Sequence, residues 1–129
     1  MRTWLAVIPW IGPDSNLVQC IQSMGSESIP VLVIDNSPDG RARKLGLPSW
    51  VEIEDYACNL GIAPSMNRGL IRGSEQTILM SSSIRFGIGG LGGFVDVADA
   101  TADEFGLQIP RPGNHISVIG KATVDRIGL

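Results

Sequence analysis

Four short strand-like runs, each ending in a polar turn, place the strongest constraint on the fold of this chain. The runs cover residues 5–8, 31–34, 51–55 and 77–80, and the segments between them carry apolar residues at helical spacing. A continuous apolar run is typical of a strand that is covered on both faces, as in a parallel sheet. Strands that alternate with helices therefore predict an α/β domain with a mainly parallel central sheet and flanking helices.

Turn and capping residues predict where the first helices begin and end. Pro13 and Asp14 predict the start of a first helix, with Asp14 as its N-cap, and Gly25 predicts its end. A second helix is predicted over residues 64–72, with Pro64 near its first position.

The remaining elements are predicted from shorter signals. Residues 41–46 predict one helical turn, and the five glycines of residues 87–93 predict a mobile or tightly turned link. Residues 116–119 predict a last strand and residues 121–127 a short helix. Between the glycine-rich link and this last strand, a helix is predicted. Its apolar face carries Leu91, Phe94, Val95, Ala98, Ala102 and Phe105.

Length and composition limit the function classes. The 129 residues predict a single domain that spans residues 1–129, and the 43% hydrophobic content supports a packed core. The net charge of −3 argues against a nucleic-acid-binding surface, so no nucleic acid partner is predicted. The basic cluster of Arg41, Arg43 and Lys44 is interpreted as a solvated turn.

The two cysteines and the N-terminus bear on the compartment. Cys20 and Cys58 are too few for a disulfide framework or a zinc site and are interpreted as thiols of a reducing compartment, which predicts a cytoplasmic protein. The apolar N-terminus is short and reaches Pro9 without a small-residue cleavage site, so it is interpreted as a strand. No apolar run is long enough to span a membrane.

Polar residues gather at the predicted ends of the strands, in residues 10–16, 35–39, 59–67 and 81–85. Parallel sheets bind ligands outside the carboxyl ends of their strands, so these four loops are expected to form one ligand site. Asp35 follows four apolar residues and lies at the tip of a central strand. Its carboxylate either accepts hydrogen bonds from a ribose or a base, or simply starts a turn together with Asn36.

The segment from Asn59 to Leu70 carries an Asn-x-Gly pattern twice, in Asn59 with Gly61 and in Asn67 with Gly69. Small residues and side-chain amides at a strand-to-helix junction let a polar ligand approach the backbone. The alternative is that both asparagines brace the loop through side-chain-to-backbone hydrogen bonds. For Gly61 and Gly69, turn and helix-end geometry is expected whatever the function.

Taken in order, these segments resemble the nucleotide-binding half of family-2 glycosyltransferases, which have the Rossmann-like GT-A fold. The resemblance runs from about residue 3 to residue 129 and implies a sheet that is incomplete at the C-terminus. It is carried by Ala6-Val7-Ile8-Pro9-Trp10, by Val33-Ile34-Asp35-Asn36-Ser37-Pro38-Asp39, by the double Asn-x-Gly pattern, and by Ser81-Ser82-Ser83-Ile84-Arg85-Phe86, which is similar to the Asn-Pro-Asp-Val-Arg-Phe type of segment in the family.

The resemblance implies that the chain binds a nucleoside diphosphate sugar, and that an active member would transfer the sugar to an acceptor hydroxyl with inversion. It places the nucleoside against Asp35 and the loop of Pro9 and Trp10, and it places the base and the diphosphate against residues 59–67. The site residues expected on this basis are Pro9, Trp10, Asp35, Asn36, Asn59, Gly61, Asn67, Ser81, Ser83 and Arg85.

One departure from the family concerns the metal. Mg²⁺ or Mn²⁺ is usual in the family, but Ser83 stands where the family has an aspartate of its metal motif. Hard divalent cations prefer charged oxygen ligands, and a serine hydroxyl has no charge. No metal ligand is therefore predicted. The hydroxyls of Ser81 and Ser83 could hydrogen-bond a phosphate directly, and Arg85 either supplies positive charge to it or is a surface arginine.

The second departure concerns the catalytic base, for which no candidate is predicted. Asp96, Asp99 and Asp103 are expected to face solvent, Glu104 is no better placed, and His115 is interpreted as structural. In the family the chain continues beyond the point that corresponds to Leu129. Three hypotheses stay open: a glycosyltransferase whose site a partner subunit completes, a non-catalytic nucleotide-sugar-binding module, and a structural or assembly protein. Self-association through residues 116–129 is also predicted.

Other nucleotide-binding α/β classes fit the residues less well. A dinucleotide-binding domain needs Gly-x-Gly-x-x-Gly after its first strand, where this chain has Pro9-Trp10-Ile11-Gly12-Pro13. A receiver domain needs acidic residues at that same place. A phosphate-binding loop that ends in Gly-Lys-Ser/Thr is absent from the sequence.

Overall fold

The computed structural model describes residues 2–26, 29–101, 107–108 and 116–127. Within that part of the chain, one sheet of six strands has the spatial order β3-β2-β1-β4-β6-β5. The strands are β1 (Trp4–Trp10), β2 (Val31–Asp35), β3 (Val51–Asp55), β4 (Gln76–Met80), β5 (Leu107–Gln108) and β6 (Ile116–Gly120). Strands β1 to β4 are mutually parallel, whereas β6 pairs antiparallel with both β4 and β5. This confirms the predicted α/β class with a mainly parallel sheet.

Four α-helices and one 3₁₀ helix accompany the sheet in the described residues. They are α1 (Asp14–Ser23), a 3₁₀ helix (Arg41–Lys44), α2 (Ile62–Leu70), α3 (Gly90–Thr101) and α4 (Lys121–Ile127). No helix of the described residues is long and apolar enough to cross a membrane.

Side-chain alternation along the strands divides the core into two layers. Ala6 and Ile8 of β1 pack in the larger cluster together with Leu17 of α1 and Leu91 of α3, and we call this side of the sheet the α1 face. The opposite side, the α2 face, contains a smaller cluster formed by Leu5, Val7, Leu32 and Ile34. Because both faces are covered, β1 and residues 31–34 of β2 are apolar at every position, as the sequence predicts.

Close contacts require glycine at two positions. A Cβ built on Gly69 would lie 2.8 Å from Val7 Cγ1 and 2.9 Å from Val7 Cβ, so α2 can rest on β1 only without a side chain at this position. Gly69 lies in the last turn of α2, at the helix end as expected, and the contact with Val7 is a further reason for glycine there. A Cβ on Gly90 would lie 2.8 Å from the carbonyl carbon of Met24, at the end of α1.

Several boundaries differ from the prediction. Pro13, not Asp14, is the N-cap of α1, without a side-chain hydrogen bond, and α2 begins at Ile62 rather than residue 64. The glycine-rich link is shorter than expected, because Gly90 already begins α3. The short strand β5 was not predicted. Two residues of the predicted α3 face, Ala102 and Phe105, lie outside the described residues.

The chain order creates a crevice at one position of the sheet. From β1 the chain passes to β2 and β3 on one side and then returns to β4 on the other side of β1. Pairing between β1 and β4 ends at Val7 and Leu79, whereas pairing between β1 and β2 continues to Trp10 and Asp35. Strands β1 and β4 thus part at their carboxyl ends, at the topological switch point where open α/β sheets bind ligands.

Candidate functional site at the carboxyl edge of the sheet

The loops that follow the four parallel strands are joined to one another by side-chain hydrogen bonds. Arg41 Nη2 donates to the carbonyl of Ile11 at 2.9 Å, which ties the segment after β2 to the loop after β1. Asn36 Oδ1 accepts from the backbone N–H of Leu60 at 2.7 Å, which ties the turn after β2 to the loop before α2. The loop after β4 is fixed to α1 by Arg85. These bridges hold the predicted site region as one connected surface.

Asp35 lies inside the protein. Its side chain is on the α1 face and is 0% exposed. One carboxylate oxygen accepts from the backbone N–H and the hydroxyl of Ser37 at 2.8 and 2.6 Å, and the other accepts from the N–H of Ala42 at 2.9 Å. The structure favours the second interpretation of Asp35, as the start of a turn. The expectation that this carboxylate contacts a nucleoside has to be corrected, because no ligand reaches it in this conformation.

Asn36 faces the opposite side of the sheet and is also buried, at 4% exposure. Its Nδ2 donates to the hydroxyl of Ser65 at 2.9 Å, and Ser65 in turn donates to the carbonyl of Gly61 at 2.6 Å. Asn36 therefore positions the beginning of α2 instead of offering its amide to a ligand. Ser65 was missed in the sequence analysis, although its spacing of four residues from both Gly61 and Gly69 marks a small-residue face of α2.

The first Asn-x-Gly pair forms the turn that leads into α2. Asn59 is exposed, and its Oδ1 accepts from the N–H of Gly61 at 2.9 Å. Gly61 is the N-cap residue with φ 87° and ψ 170°, and no side chain caps the helix. This confirms the turn geometry expected for Gly61. The N-terminus of α2 thus has backbone N–H groups without a capping side chain at the carboxyl edge.

Asn67 is not brought to this edge in the way the sequence suggested. It lies inside α2 and is exposed. Two residues later Gly69 faces Val7, and two helical residues are separated by about 200° around the axis, so Asn67 points away from the sheet. Asp35 lies on the other face of the sheet. The expected convergence of Asn67 and Asp35 on one ligand is wrong.

The loop after β1 is built around a buried tryptophan. Trp10 is 2% exposed, its Nε1 donates to the carbonyl of Pro13 at 3.0 Å, and the guanidinium of Arg41 lies 5.4 Å from the ring centroid. Arg41 also lies 3.1 Å from Asp14 Oδ1. The indole is thus part of the core, whereas Pro9 is half-buried and Ile11 and Pro13 are exposed.

The loop after β4 contains the serines that replace the family's metal motif. Ser81 Oγ and Ser83 Oγ lie 2.9 Å apart, and the N–H of Ser83 donates to Ser81 Oγ at 3.1 Å. Ser81 is half-buried and Ser83 is exposed. The two hydroxyls therefore form a compact pair at the end of β4, next to the crevice beside β1.

Arg85 is exposed and anchored by neutral oxygens. Its Nη1 donates to the carbonyls of Ser82 and Ile84 at 2.7 and 2.9 Å. Its Nη2 makes longer bonds to Asn16 Oδ1 at 3.3 Å and Gln19 Oε1 at 3.2 Å. Asn16 and Gln19 were not singled out from the sequence, because nothing in their spacing reports a contact to a loop so distant in the chain.

A second polar cluster lies beside α2, on the edge strand β3. Arg72 contacts both Glu52 and Glu54, and Arg68 lies 3.5 Å from Glu54 and 5.3 Å from the ring centroid of Tyr56. Burial alone would raise the pKa of Glu54, but hydrogen bonds from Tyr56 and Arg72 outweigh it and hold that pKa below its usual value. This cluster fixes α2 against β3 and thereby supports the loop of Asn59.

The described residues offer no metal-binding cluster. They contain no group of three or more His, Cys, Asp or Glu side chains that could hold a metal ion, and the paired serine hydroxyls lack the charge such an ion requires. The expected solvent exposure holds for Asp96, whereas Asp99 is half-buried and accepts from Arg2 at 2.8 Å. Asp103, Glu104 and His115 lie outside the described residues.

Comparison with known proteins supports the fold but gives no sequence family. No protein-family model and no curated protein matches the chain. Among solved structures, the fold is similar to that of a mannosyltransferase from Pyrobaculum calidifontis determined in complex with GDP-Man and Mn²⁺, with a TM-score of 0.73 and 13% sequence identity. The likeness covers 98% of this chain and 47% of the mannosyltransferase, so the chain spans about half of that protein's length. The chain thus has an α/β fold of the nucleotide-sugar transferase type.

The ten site residues expected from the sequence now fall into three groups. The side chains of Trp10, Asp35 and Asn36 are internal and hold the loops in place. Asn67 faces solvent along α2. The residues that remain open to a ligand at the carboxyl edge are Pro9, Asn59, Gly61, Ser81, Ser83 and Arg85.

Proposed function

We propose that this chain is a single domain that binds a nucleoside diphosphate sugar at the carboxyl edge of its sheet, as the donor-binding part of a family-2 glycosyltransferase with the GT-A fold. The observation that carries this proposal is the likeness over 98% of the chain, at a TM-score of 0.73, to a mannosyltransferase in complex with GDP-Man. The order of the strand-end motifs in the sequence supports the same conclusion independently.

Within the proposed site, the nucleoside lies against Pro9 and the turn of Asn59 and Gly61, and the diphosphate lies at the crevice between β1 and β4. Two features support this placement. Backbone N–H groups at the start of α2 attract a negatively charged group. The exposed hydroxyl of Ser83 adds a hydrogen-bond donor from the other side of the crevice.

An active enzyme of this kind would let an acceptor hydroxyl attack the anomeric carbon while the bond to the nucleoside diphosphate breaks, and a base would take the hydroxyl proton. No residue of this chain is assigned the role of that base. A partner subunit that completes the site is one way to supply it. The serine pair at the end of β4 favours the second candidate function, a non-catalytic module that binds the nucleotide sugar without transferring it.

Calorimetric titration of the chain with UDP-, GDP- and TDP-sugars tests the binding proposal. Binding of at least one of them at micromolar to submillimolar concentration is the expected result, and the absence of binding by all three would refute it. Release of nucleoside diphosphate from the bound donor, measured with simple sugars as acceptors, then separates the transferase from the binding module.

The two asparagines of the double motif provide a matched pair of variants for locating the site. Both are exposed, but Asn59 braces the turn at the carboxyl edge and Asn67 lies along the outer side of α2. Asn59→Ala should weaken binding by about tenfold, the equivalent of one hydrogen bond of about 1.4 kcal/mol. Asn67→Ala should leave the affinity unchanged. The opposite ranking of the two variants would place the ligand elsewhere.

A further inference from the structure

The loop after β4 lacks the charged ligands of a metal-binding loop and instead carries groups that can donate hydrogen bonds to an anion. Its polar groups are the hydroxyl of half-buried Ser81, the hydroxyl of exposed Ser83 and the guanidinium of exposed Arg85. Hydroxyls and a guanidinium donate hydrogen bonds to phosphate oxygens, whereas they are poor ligands for a hard divalent cation. The loop is thus built to bind an anion directly rather than through a cation.

Among the described residues, Arg85 has no carboxylate partner within 4.0 Å. Other arginines of the described chain, such as Arg2 and Arg72, contact a carboxylate within 4.0 Å. All four oxygens that accept from Arg85 are neutral: two backbone carbonyls and two side-chain amides. A guanidinium held in this way keeps its full positive charge at an exposed position, where it attracts an anion.

The contacts of Arg85 also allow an anion to bind without unfolding the loop. The two bonds from Nη1, at 2.7 and 2.9 Å, anchor the guanidinium to its own loop. The two bonds from Nη2, to Asn16 and Gln19, are longer, at 3.3 and 3.2 Å. A phosphate oxygen carries negative charge whereas the two amide oxygens are neutral, so we expect a phosphate to displace them from the guanidinium.

We propose that this chain binds the diphosphate of its nucleotide sugar without a divalent cation, with Arg85 and the hydroxyl of Ser83 supplying the charge and the hydrogen bonds that the cation would otherwise supply. The inference rests on the proposed function, and it sets this chain apart from the mannosyltransferase of similar fold, whose complex contains Mn²⁺. Asn16 and Gln19, once displaced from Arg85, turn their amide N–H groups toward the same phosphate.

The test is a calorimetric titration of the 129-residue chain with the nucleotide sugar that binds best, once with Mn²⁺ and once with EDTA. Equal affinity, within about twofold, is expected in the two arms. Binding that requires Mn²⁺ overturns the inference and leaves the proposed function standing. If neither arm binds any nucleotide sugar, the proposed function and the inference both fail.

Arg85→Gln should lower the affinity by about tenfold to a hundredfold, the range for losing one hydrogen bond to a charged group. Arg43→Gln is the matched control, because Arg43 is also exposed and donates to a neutral carbonyl, that of Ile53 at 3.1 Å, but on the far edge of the sheet. Unchanged affinity in Arg85→Gln, or an equal loss in Arg43→Gln, would contradict the role of Arg85.

The Arg85→Gln substitution could lower the affinity simply by disturbing the loop. A measurement on the unmodified chain avoids this alternative explanation. Binding that depends on an exposed guanidinium weakens as ionic strength rises, because salt screens exposed charges. Inorganic pyrophosphate should therefore compete with the nucleotide sugar in EDTA, and less effectively at higher KCl concentration. Failure of pyrophosphate to compete would overturn the inference whatever the behaviour of the variants.

Discussion

Substitution of Gly69 by alanine tests the packing that sets the position of α2. The added Cβ would lie 2.8 Å from Val7 Cγ1, 2.9 Å from Val7 Cβ and closer still to Cγ2. Val7 is 0% exposed in a central strand, so its side chain has no free space to turn into. Overpacking of a core costs about 1–3 kcal/mol or more, and alanine regains about 1 kcal/mol over glycine in a helix. The three contacts fall on the Cβ and the two Cγ atoms of a β-branched side chain, so we expect an overpacking cost at the upper end, about 3 kcal/mol, and a net loss of about 2 kcal/mol.

Gly93→Ala is the matched control for this substitution. Gly93 also lies inside a helix, α3, but a Cβ built there meets only the carbonyl of Ile88, at 3.8 Å. The helical preference of alanine then acts alone, and the variant should be as stable as the parent or up to about 1 kcal/mol more stable.

A double-mutant cycle with Val7→Ala identifies the cause. Val7→Ala removes Cγ1 and Cγ2 and should by itself destabilise by about 1–3 kcal/mol, as two buried methyl groups are lost. The double variant should lose at least about 1 kcal/mol less than the sum of the single losses, because the closest contacts of the new methyl are gone. Urea unfolding followed by tryptophan fluorescence measures all four free energies of unfolding. Additive losses, or a Gly69→Ala variant as stable as the parent, would refute the reasoning.

Three further predictions concern individual side chains. Asp35→Asn should reduce the free energy of unfolding, measured in urea, by about 2–4 kcal/mol, because the buried carboxylate accepts from three donors and an amide would present N–H to at least one of them. Asp39 is exposed, so the control Asp39→Asn should change the free energy of unfolding by less than about 0.5 kcal/mol. The depressed pKa of Glu54 predicts a stabilisation that is fully present above pH 4.5, its usual pKa, and is lost as the pH falls through the folded-state pKa. The free energy of unfolding of Glu54→Gln should therefore depend less on pH in this acid range than that of the parent. The same pH dependence in both proteins would count against the Glu54 contacts. Exposed Cys58 should react readily with a thiol reagent at neutral pH, while Cys20, whose pKa burial raises to about 11, should react only on unfolding; equal rates in the native chain would contradict the described burial.

The sequence predicted the element order because its signals are local. Strand-like runs mark β1, β2, β3, β4 and β6, and Gly25, with φ 81°, follows Met24, the C-cap residue of α1. The direction of a strand is not a local property, so residues 116–119 gave a strand without showing that β6 is antiparallel to β4. Strand β6 lies between β4 and β5 rather than at the sheet edge, and self-association through residues 116–129 stays a prediction.

The candidate site was predicted at the level of loops and less well at the level of side chains. A strand that is apolar on both faces carries no alternation to show whether Trp10 or Asp35 points inward, and both proved to be internal. The contact of Gly69 with Val7 joins distant parts of the chain, so the sequence showed a glycine without showing its reason. A signal was present in the spacing of Gly61, Ser65 and Gly69, where small residues every four positions predict a helix that approaches its sheet closely.

The central claim is that a nucleotide sugar binds where the parallel strands end. Amide chemical shifts of the ¹⁵N-labelled chain, recorded during titration with GDP-mannose and UDP-glucose in EDTA, test it most directly. We expect at least one of the two nucleotide sugars to change the amide chemical shifts of residues 11–13, 59–65 and 81–85 and to leave those of α4 unchanged. Shifts confined to α4 and the opposite ends of the strands, or no shifts at saturating concentrations of both, would contradict it.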